Sequence, residues 1–421
     1  MSSLRVLIVA EHASTRLGGE AILPCHYFRG LRSRGVDAFL IVHERTRPEL
    51  EALFPAELDR IRFVPDKLLQ KIFYQCGRLL PRRISESTFG LANQLLTQLS
   101  QRAIARSLAS PGSIVHQPIP VSPRFPSLLC NVGSPVIIGP MNGGMEFPPA
   151  FQHTESLLSR IAIPLGRAFT GVMNTLLPGK KRAAVLLVAN RRTRAALPAG
   201  LRGHVFELSE NGVDLTQWRA DSAPAINGNF VFVGRLVAWK ALDLVLHALA
   251  HTPEASLDVI GDGPMLSRWQ KLAGELGLEQ RIKFHGWLSQ ADCARVLARS
   301  TALVLPSLYE CGGAVVLEAM AMARPVIATA WGGPIDYLDD SCGILIEPTS
   351  RKALIDGFAA AMQRLLLAPQ IAQRLGAAGR EKVYAQFDWG KKIDAMLEIY
   401  ASVVPPETVL LTKLPTGNAA N

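Results

Sequence analysis

The chain has 421 residues, too many for one ordinary core and enough for two α/β domains of about 200 residues each. Its 48% hydrophobic and 19% charged residues exclude a disordered chain. The longest clearly apolar stretch, Ala183-Ala-Val-Leu-Leu-Val-Ala189, is far short of the roughly 20 residues that span a bilayer. The net charge of +10 is unevenly placed: residues 1–200 carry 25 Lys+Arg against 12 Asp+Glu, and residues 201–421 carry 20 against 23. Such a basic half either faces something anionic, a lipid surface or a phosphate-bearing substrate, or is simply an arginine-rich surface.

Leu4–Ala10 reads as a buried first strand. As a signal peptide it is too short, and Glu11-His12 ends it without a cleavage-like site. Gly18-Gly19 follows, then a segment with helical spacing to Arg34, a capping Gly35 and a strand over Val36–His43. Further strands are expected at 61–64, 113–116, 135–139 and 184–188. The second half repeats the rhythm, with strands at 229–234, 256–260, 281–285, 301–305 and 325–329 separated by helical patterns. Two doubly wound parallel sheets, each a Rossmann-like domain, are therefore expected, with the boundary near 207–225 and Asn211-Gly-Val-Asp214 as a turn. The tail from Pro405 is expected to fray. Six scattered cysteines (25, 76, 130, 293, 311 and 342) show no metal or redox spacing and suit a reducing cytoplasm. Residues 67–83 and 157–182 mix basic and apolar side chains at helical spacing. Such helices either cover their own domain or lie in the interface of anionic lipid.

The densest chemical signal is Pro306-Ser-Leu-Tyr-Glu-Cys-Gly-Gly-Ala-Val-Val-Leu-Glu318, directly after the strand at 301–305 and so on the carboxyl edge of its sheet. Gly312 and Gly313 let the backbone approach a ligand, and a helix opening near Ala314 aims its amides at a phosphate. Glu310 in the loop and Glu318 two turns into the helix would stand roughly 10 Å apart. That is wide for a glycosidase pair and suits two points on one extended ligand, a sugar and a ribose. Gly234 ends the strand at 229–234. Arg235 and Lys240 follow it, and two cations there would neutralise a pyrophosphate. Gly18 and Gly19 suit either a phosphate loop or a plain turn, and G-x-G-x-x-G is absent there. Gly261-Asp-Gly-Pro264 is expected to shape a helix entrance. His116, at a strand end, faces the ligand edge if the register allows, although a lone histidine is commonly structural.

Together these residues resemble the retaining GT-B glycosyltransferases of family 4. The resemblance is strongest over about 229–350, in Phe232-Val-Gly-Arg-Leu236, Gly261-Asp-Gly-Pro264, Pro306–Glu310, the Glu-x7-Glu spacing, Glu318-Ala-Met-Ala321, Pro325-Val-Ile-Ala328 and Gly332-Gly333. Weaker matches are Gly18-Gly19, Gly139–Gly144 and Glu210–Asp214. The resemblance implies two Rossmann-like domains facing a central cleft: 1–207 on the acceptor side, 208–385 binding the nucleotide sugar, a helix at 386–404 crossing back and a flexible tail at 405–421. It further implies that Glu310 contacts the transferred sugar, Glu318 the donor ribose and Arg235 and Lys240 the diphosphate, with Gly18 and Gly19 beside the donor phosphate and acceptor and His116 beside the sugar. No metal or cofactor is implied, since the nucleotide-diphosphate sugar is itself a substrate. The only adjacent aspartates, Asp339-Asp340, lie well after the donor motif. The implied enzyme transfers sugar to a glycan or lipid-linked acceptor for polysaccharide biosynthesis, in the cytoplasm or at the inner membrane face, and binds no nucleic acid. Ala241, where glycine is usual, and Cys311-Gly312, in place of Gly-Phe, depart from the family pattern. The competing expectations are a nucleotide-dependent oxidoreductase or epimerase, weakened by the absent fingerprint, and a non-catalytic nucleotide-sugar-binding protein on the same fold.

Overall fold

A computed structural model describes residues 4–78, 89–154, 166, 169–219 and 227–404. Parts of the two amphipathic stretches (79–83, 157–165, 167 and 168), part of the expected boundary (220–225) and the tail from 405 lie outside the described residues. The chain forms two compact units, one of residues 1–143, 165–210 and 393–421, the other of residues 144–164 and 211–392.

The first unit holds a seven-stranded parallel sheet in the order β3-β2-β1-β4-β5-β6-β7. Its strands are β1 (Arg5–Val9), β2 (Asp37–His43), β3 (Ile61–Val64), β4 (Ser113–Gln117), β5 (Val136–Met141), β6 (Val185–Val188) and β7 (His204–Glu207). The central strands β1, β2, β5 and β6 are dominated by apolar, largely Val, Ile and Leu, runs without polar alternation, as strands covered on both faces must be. Helices α1 (Gly19–Arg32), α2 (Leu68–Arg78), α3 (Leu91–Leu108) and α4 (residues 169–176) accompany them. Leu7, Val9, Phe39, Ile41 and Val115 pack with Ala105 of α3 in one core. Each fully buried Val, Leu or Phe there contributes about 1.5–3 kcal/mol, so a charged replacement of Leu7 would open the sheet.

In the second unit six parallel strands run in the order β10-β9-β8-β11-β12-β13. They are β8 (Asn229–Val233), β9 (Ser256–Ile260), β10 (Ile282–Gly286), β11 (Ala302–Leu305), β12 (Val326–Thr329) and β13 (Gly343–Ile346). Helices α5 (Leu242–Ala250), α6 (Gln290–Arg299) and α7 (Ala314–Ala321) connect the strands that frame the site. Ser289 starts α6 by accepting from the Asp292 amide, which satisfies one of the helix's orphan donors. A last helix, α8 (Trp389–Val403), begins in this unit and ends in the first.

The units do not divide at a single point near 207. Residues 144–164 leave the first half of the sequence to join the second unit, and the chain passes between units at 143/144, 164/165, 210/211 and 392/393. β7 and β13 were not expected. His204–Glu207 is a largely exposed edge strand, and Gly343–Ile346 is a four-residue run, so neither carries a strong local signal.

Candidate active site

In each sheet the strand order reverses beside the first strand, and in the second unit that switch point lies between β8 and β11. Open α/β sheets bind ligands there, in the crevice beyond the carboxyl ends of the strands. The register pairs Leu303 with Val231, so Leu305 ends level with Val233 and the loops after β8 and β11 emerge side by side. They are tied together, since the Leu308 amide donates to the Trp239 carbonyl at 2.8 Å. The loop after β9 braces the first of them: Leu236 donates to Asp262 O at 2.9 Å, and a Cβ on Gly261 would meet Gly234 O at 2.0 Å. Gly261 and Gly263 thus serve close backbone packing beneath Gly234 and Leu236.

On these loops Lys240 and Glu310 form an ion pair between Nζ and Oε2, with their side chains 13% and 12% exposed. Ser307 donates its hydroxyl to the same Oε2 at 3.1 Å. Arg235 is exposed; its carbonyl accepts from the Val237 amide at 2.9 Å, and among the described residues its guanidinium meets no hydrogen-bond or ion-pair partner. Ala241, immediately after Lys240, sits in the left-handed region at φ +49°, which costs a residue with a Cβ on the order of 1 kcal/mol. Gly313 caps α7 in the same region at φ +75°, and the amides opening that helix at Ala314 have no acceptor within it. The Glu310 side chain lies directly beside Gly313, whose Cβ would stand 3.1 Å from Glu310 Cγ.

Glu318 is the fifth residue of α7, little more than one turn in rather than two. It is partly buried, and desolvation pushes its carboxyl up to about 7. Burial pushes the Cys293 thiol of α6 up to about 11, and the charge of Glu318 adds to it.

Met145, Glu146, Phe147 and Trp287, which sequence reasoning missed, complete this edge. Residues 144–151 were assigned to the first domain, yet Phe147 packs its ring 5.4 Å from that of Tyr309 and Glu146 O accepts from Trp331 Nε1 at 2.8 Å. Met145 lies against Gly332, and the Gly333 amide holds Glu310 O at 2.7 Å. Gly332-Gly333 is therefore the cradle that fixes the loop carrying Glu310. Trp287, 69% exposed, stands just beyond the end of β10 on the same sheet edge. An aromatic residue placed directly after a strand's terminal glycine was its only sequence signal.

In the first unit Gly18 (φ +111°) precedes α1, and neither it nor Gly19 has an atom within 4 Å of where a Cβ would stand. The loop is tied by Glu20, which accepts from the Val121 amide at 2.9 Å. His116 does not face outward as expected. Its side chain is fully buried, Nε2 contacts Gly139 O at 2.7 Å, Nδ1 contacts Tyr400 Oη at 2.7 Å, and Tyr27 stacks edge-on at 4.7 Å. All five residues of β4 are buried, so the strand has no outward side on which His116 could stand.

Two parallel-sheet Rossmann-like domains of this kind define the GT-B architecture. Alr3699/HepE of Anabaena, solved in complex with UDP, superimposes over 95% of this chain and all of its own at a TM-score of 0.66 and 14% identity. TarM does so over 95% and 99% at 0.66 and 13%. Residues 218–382, which lie within the second unit, match the family Glycosyl transferases group 1. The chain is 26% identical over 273 residues to the alpha-D-kanosaminyltransferase of Streptomyces kanamyceticus, across 60% of this chain and 67% of that protein. It is 32% identical over 171 residues to the lipopolysaccharide core biosynthesis glycosyltransferase LpsE of Rhizobium meliloti, across 40% and 48%. Its match thus spans about half the length of the latter.

Proposed function

We propose that the protein is a retaining, family 4 glycosyltransferase that moves a sugar from a nucleotide-diphosphate sugar to a hydroxyl of a glycan or lipid-linked glycan. Its place would be the cytoplasm, at the inner face of a membrane. The observation that carries this reading is the convergence of Arg235, the Lys240–Glu310 pair and the opening of α7 at one switch point. Two cations and a set of helix amides suit a diphosphate, and a carboxylate beside them suits sugar hydroxyls. Glu318, one turn along, suits the ribose. On the first unit the open backbone at Gly18 and Gly19 suits a phosphate or an acceptor hydroxyl. His116 is left out of the reacting set, because both its ring nitrogens are engaged inside the core.

In the reaction the bond between the anomeric carbon and the phosphate oxygen breaks, and its electron pair leaves with the diphosphate. The acceptor oxygen bonds to that carbon on the same face, and its proton passes to the departing phosphate oxygen. Arg235, Lys240 and the α7 amides meet the negative charge as it develops, which is where electrostatic catalysis acts. The Lys240–Glu310 pair holds both groups in place before a donor arrives. The donor is a substrate, and the reading calls on no cofactor.

A thermal-shift screen of UDP-, GDP- and ADP-sugars tests the proposal, because a ligand of the native state raises its unfolding temperature. The stabilising donor should then be consumed in the presence of glycan acceptors. Absence of any shift, or a shift that survives Arg235→Ala with Lys240→Ala unchanged, would remove its basis.

A further inference from the structure

Two helices of the first unit are inside out for a protein surrounded only by water. In α2 the amide side chain of Gln70 is buried and donates to Thr97 Oγ1 of α3 at 2.9 Å, while Leu68, Leu69 and Ile72 are exposed. In α4 the buried residue is Asn174, which donates to Arg124 O at 2.7 Å, while Phe169, Val172 and Leu176 are exposed. These six apolar side chains are between 47% and 76% exposed. The spacing 169, 172 and 176 is one helical stripe, and 68 and 72 are one turn apart on another.

Both stripes belong to the same end of the unit. Gln70 anchors α2 to Thr97. The next residue of α3, Gln98, accepts from the Leu128 amide in the loop that also holds Asn174 through Arg124. Farther along α3, Gln101 reaches Ala10 O and Ile41 O, just beyond β1 and within β2, which places this part of α3 toward the carboxyl edge of the sheet.

Charge follows the same segments. From Lys67 to Ser85 the sequence has five basic residues and no acidic one, and from Ser156 to Phe206 it has nine and none. Lys67, just before α2, and Lys71 on it are exposed, and Arg182 is exposed beyond α4. A polyanion in solution would satisfy the cations yet leave the stripes wet. An anionic bilayer satisfies both, with apolar side chains at the acyl boundary and cations at the headgroups. Among the described residues no helix is long and apolar enough to cross a membrane, so contact here would be made from one side.

We infer that α2 and α4 form a docking surface for an anionic lipid bilayer. The surface deepens the lipid-linked acceptor reading above, for which it would supply the substrate's own location, and it is measured without any sugar donor.

The test is flotation of the purified full chain with phosphatidylcholine vesicles, pure or containing about one third phosphatidylglycerol. The wild type should float with the anionic vesicles only, and raising salt to about 0.5 M should release much of it. Leu68→Ser/Leu69→Ser/Ile72→Ser and Phe169→Ser/Val172→Ser/Leu176→Ser should each weaken binding at least about tenfold. Lys67→Glu/Lys71→Glu should do so at low salt. Each variant should keep the wild-type unfolding temperature, since every altered side chain is exposed. Equal flotation with neutral vesicles, wild-type binding by both apolar variants, or a concentration-dependent dimer that these substitutions dissolve would overturn the inference. Failed flotation with intact sugar transfer would sink the docking surface alone; intact flotation with no transfer would sink the enzymatic reading alone.

Discussion

Tyr400 Oη and His116 Nδ1 lie 2.7 Å apart inside the first unit, although 284 residues separate them in the chain. Gly139 O can only accept, so His116 Nε2 carries the proton, Nδ1 is bare, and Tyr400 donates to it. The ring is thus a fixed joint between the end of β5 and the last turns of α8. Tyr400→Phe should cost about 1–2 kcal/mol in urea unfolding by leaving Nδ1 unsatisfied. It should keep kcat within about threefold of wild type once the folded fraction is counted. A loss of a hundredfold in a fully folded variant would return His116 to the reacting groups.

Lys240→Ala and Arg235→Ala should each lower kcat by about a hundred- to a thousandfold, as expected for removing a charge aimed at the leaving group. Arg235→Lys should recover little of this, because an ammonium cannot present the planar fork. Steady-state rates beside donor affinity from calorimetry check the point. A variant that loses affinity alone would make the cation a binding group without a part in the transition state.

A Glu318 that holds the donor ribose should couple donor binding to protons. Its carboxyl titrates at about 7 in the free protein. Hydrogen bonds from ribose hydroxyls favour the carboxylate, so binding should release about half a proton at pH 7 and weaken as pH falls below 7. Calorimetry in two buffers of different ionisation enthalpy would measure the release, and Glu318→Gln should abolish it.

The same raised carboxyl bears on stability. A folded value above the unfolded one of 4.5 means that stability is fully present below pH 4.5 and is lost as pH rises toward 7. Glu318→Gln should therefore match the wild type at pH 4.5 and exceed it by about 3 kcal/mol at pH 8. Equal stabilities at both values in urea titrations would show that the carboxylate is solvated.

Lys180 presents the opposite sign. It is fully buried, donates to Ser122 O at 2.8 Å, and burial lowers its ammonium to about 7. A depressed folded value means that stability is present above pH 10.5 and is lost as pH falls toward 7. Lys180→Met, which keeps the volume but gives up one hydrogen bond, should be more stable at pH 6 by about 3 kcal/mol. A less stable variant would show that the buried charge is better compensated than its one recorded bond suggests.

Most of both sheets was legible because parallel strands covered on two faces are continuous Val, Ile and Leu runs. The Glu310–Glu318 segment was legible because its glycines, acids and helix start fall directly after such a run. The same burial hid His116: in Ser113–Gln117 every residue is inside, so no alternation could tell which way the imidazole points. Met145 and Phe147 were out of reach for a different reason. Their neighbours in sequence belong to the first unit, and only the chain's return at 165 shows that 144–164 had left it. Gly332-Gly333 was read as a family motif, while its work, holding the Glu310 carbonyl from a distant loop, is visible only in three dimensions.

The first unit is assembled from three separate pieces of chain, the last beginning at residue 393, where Ile393, Met396 and Tyr400 are all buried. On the ribosome the sheet of the first unit must therefore wait, with Gly30 (which packs against Ile393) and His116 uncovered, until residues 393–403 have emerged. A nascent chain stalled before residue 393 would expose the seat of α8 to other hydrophobic segments.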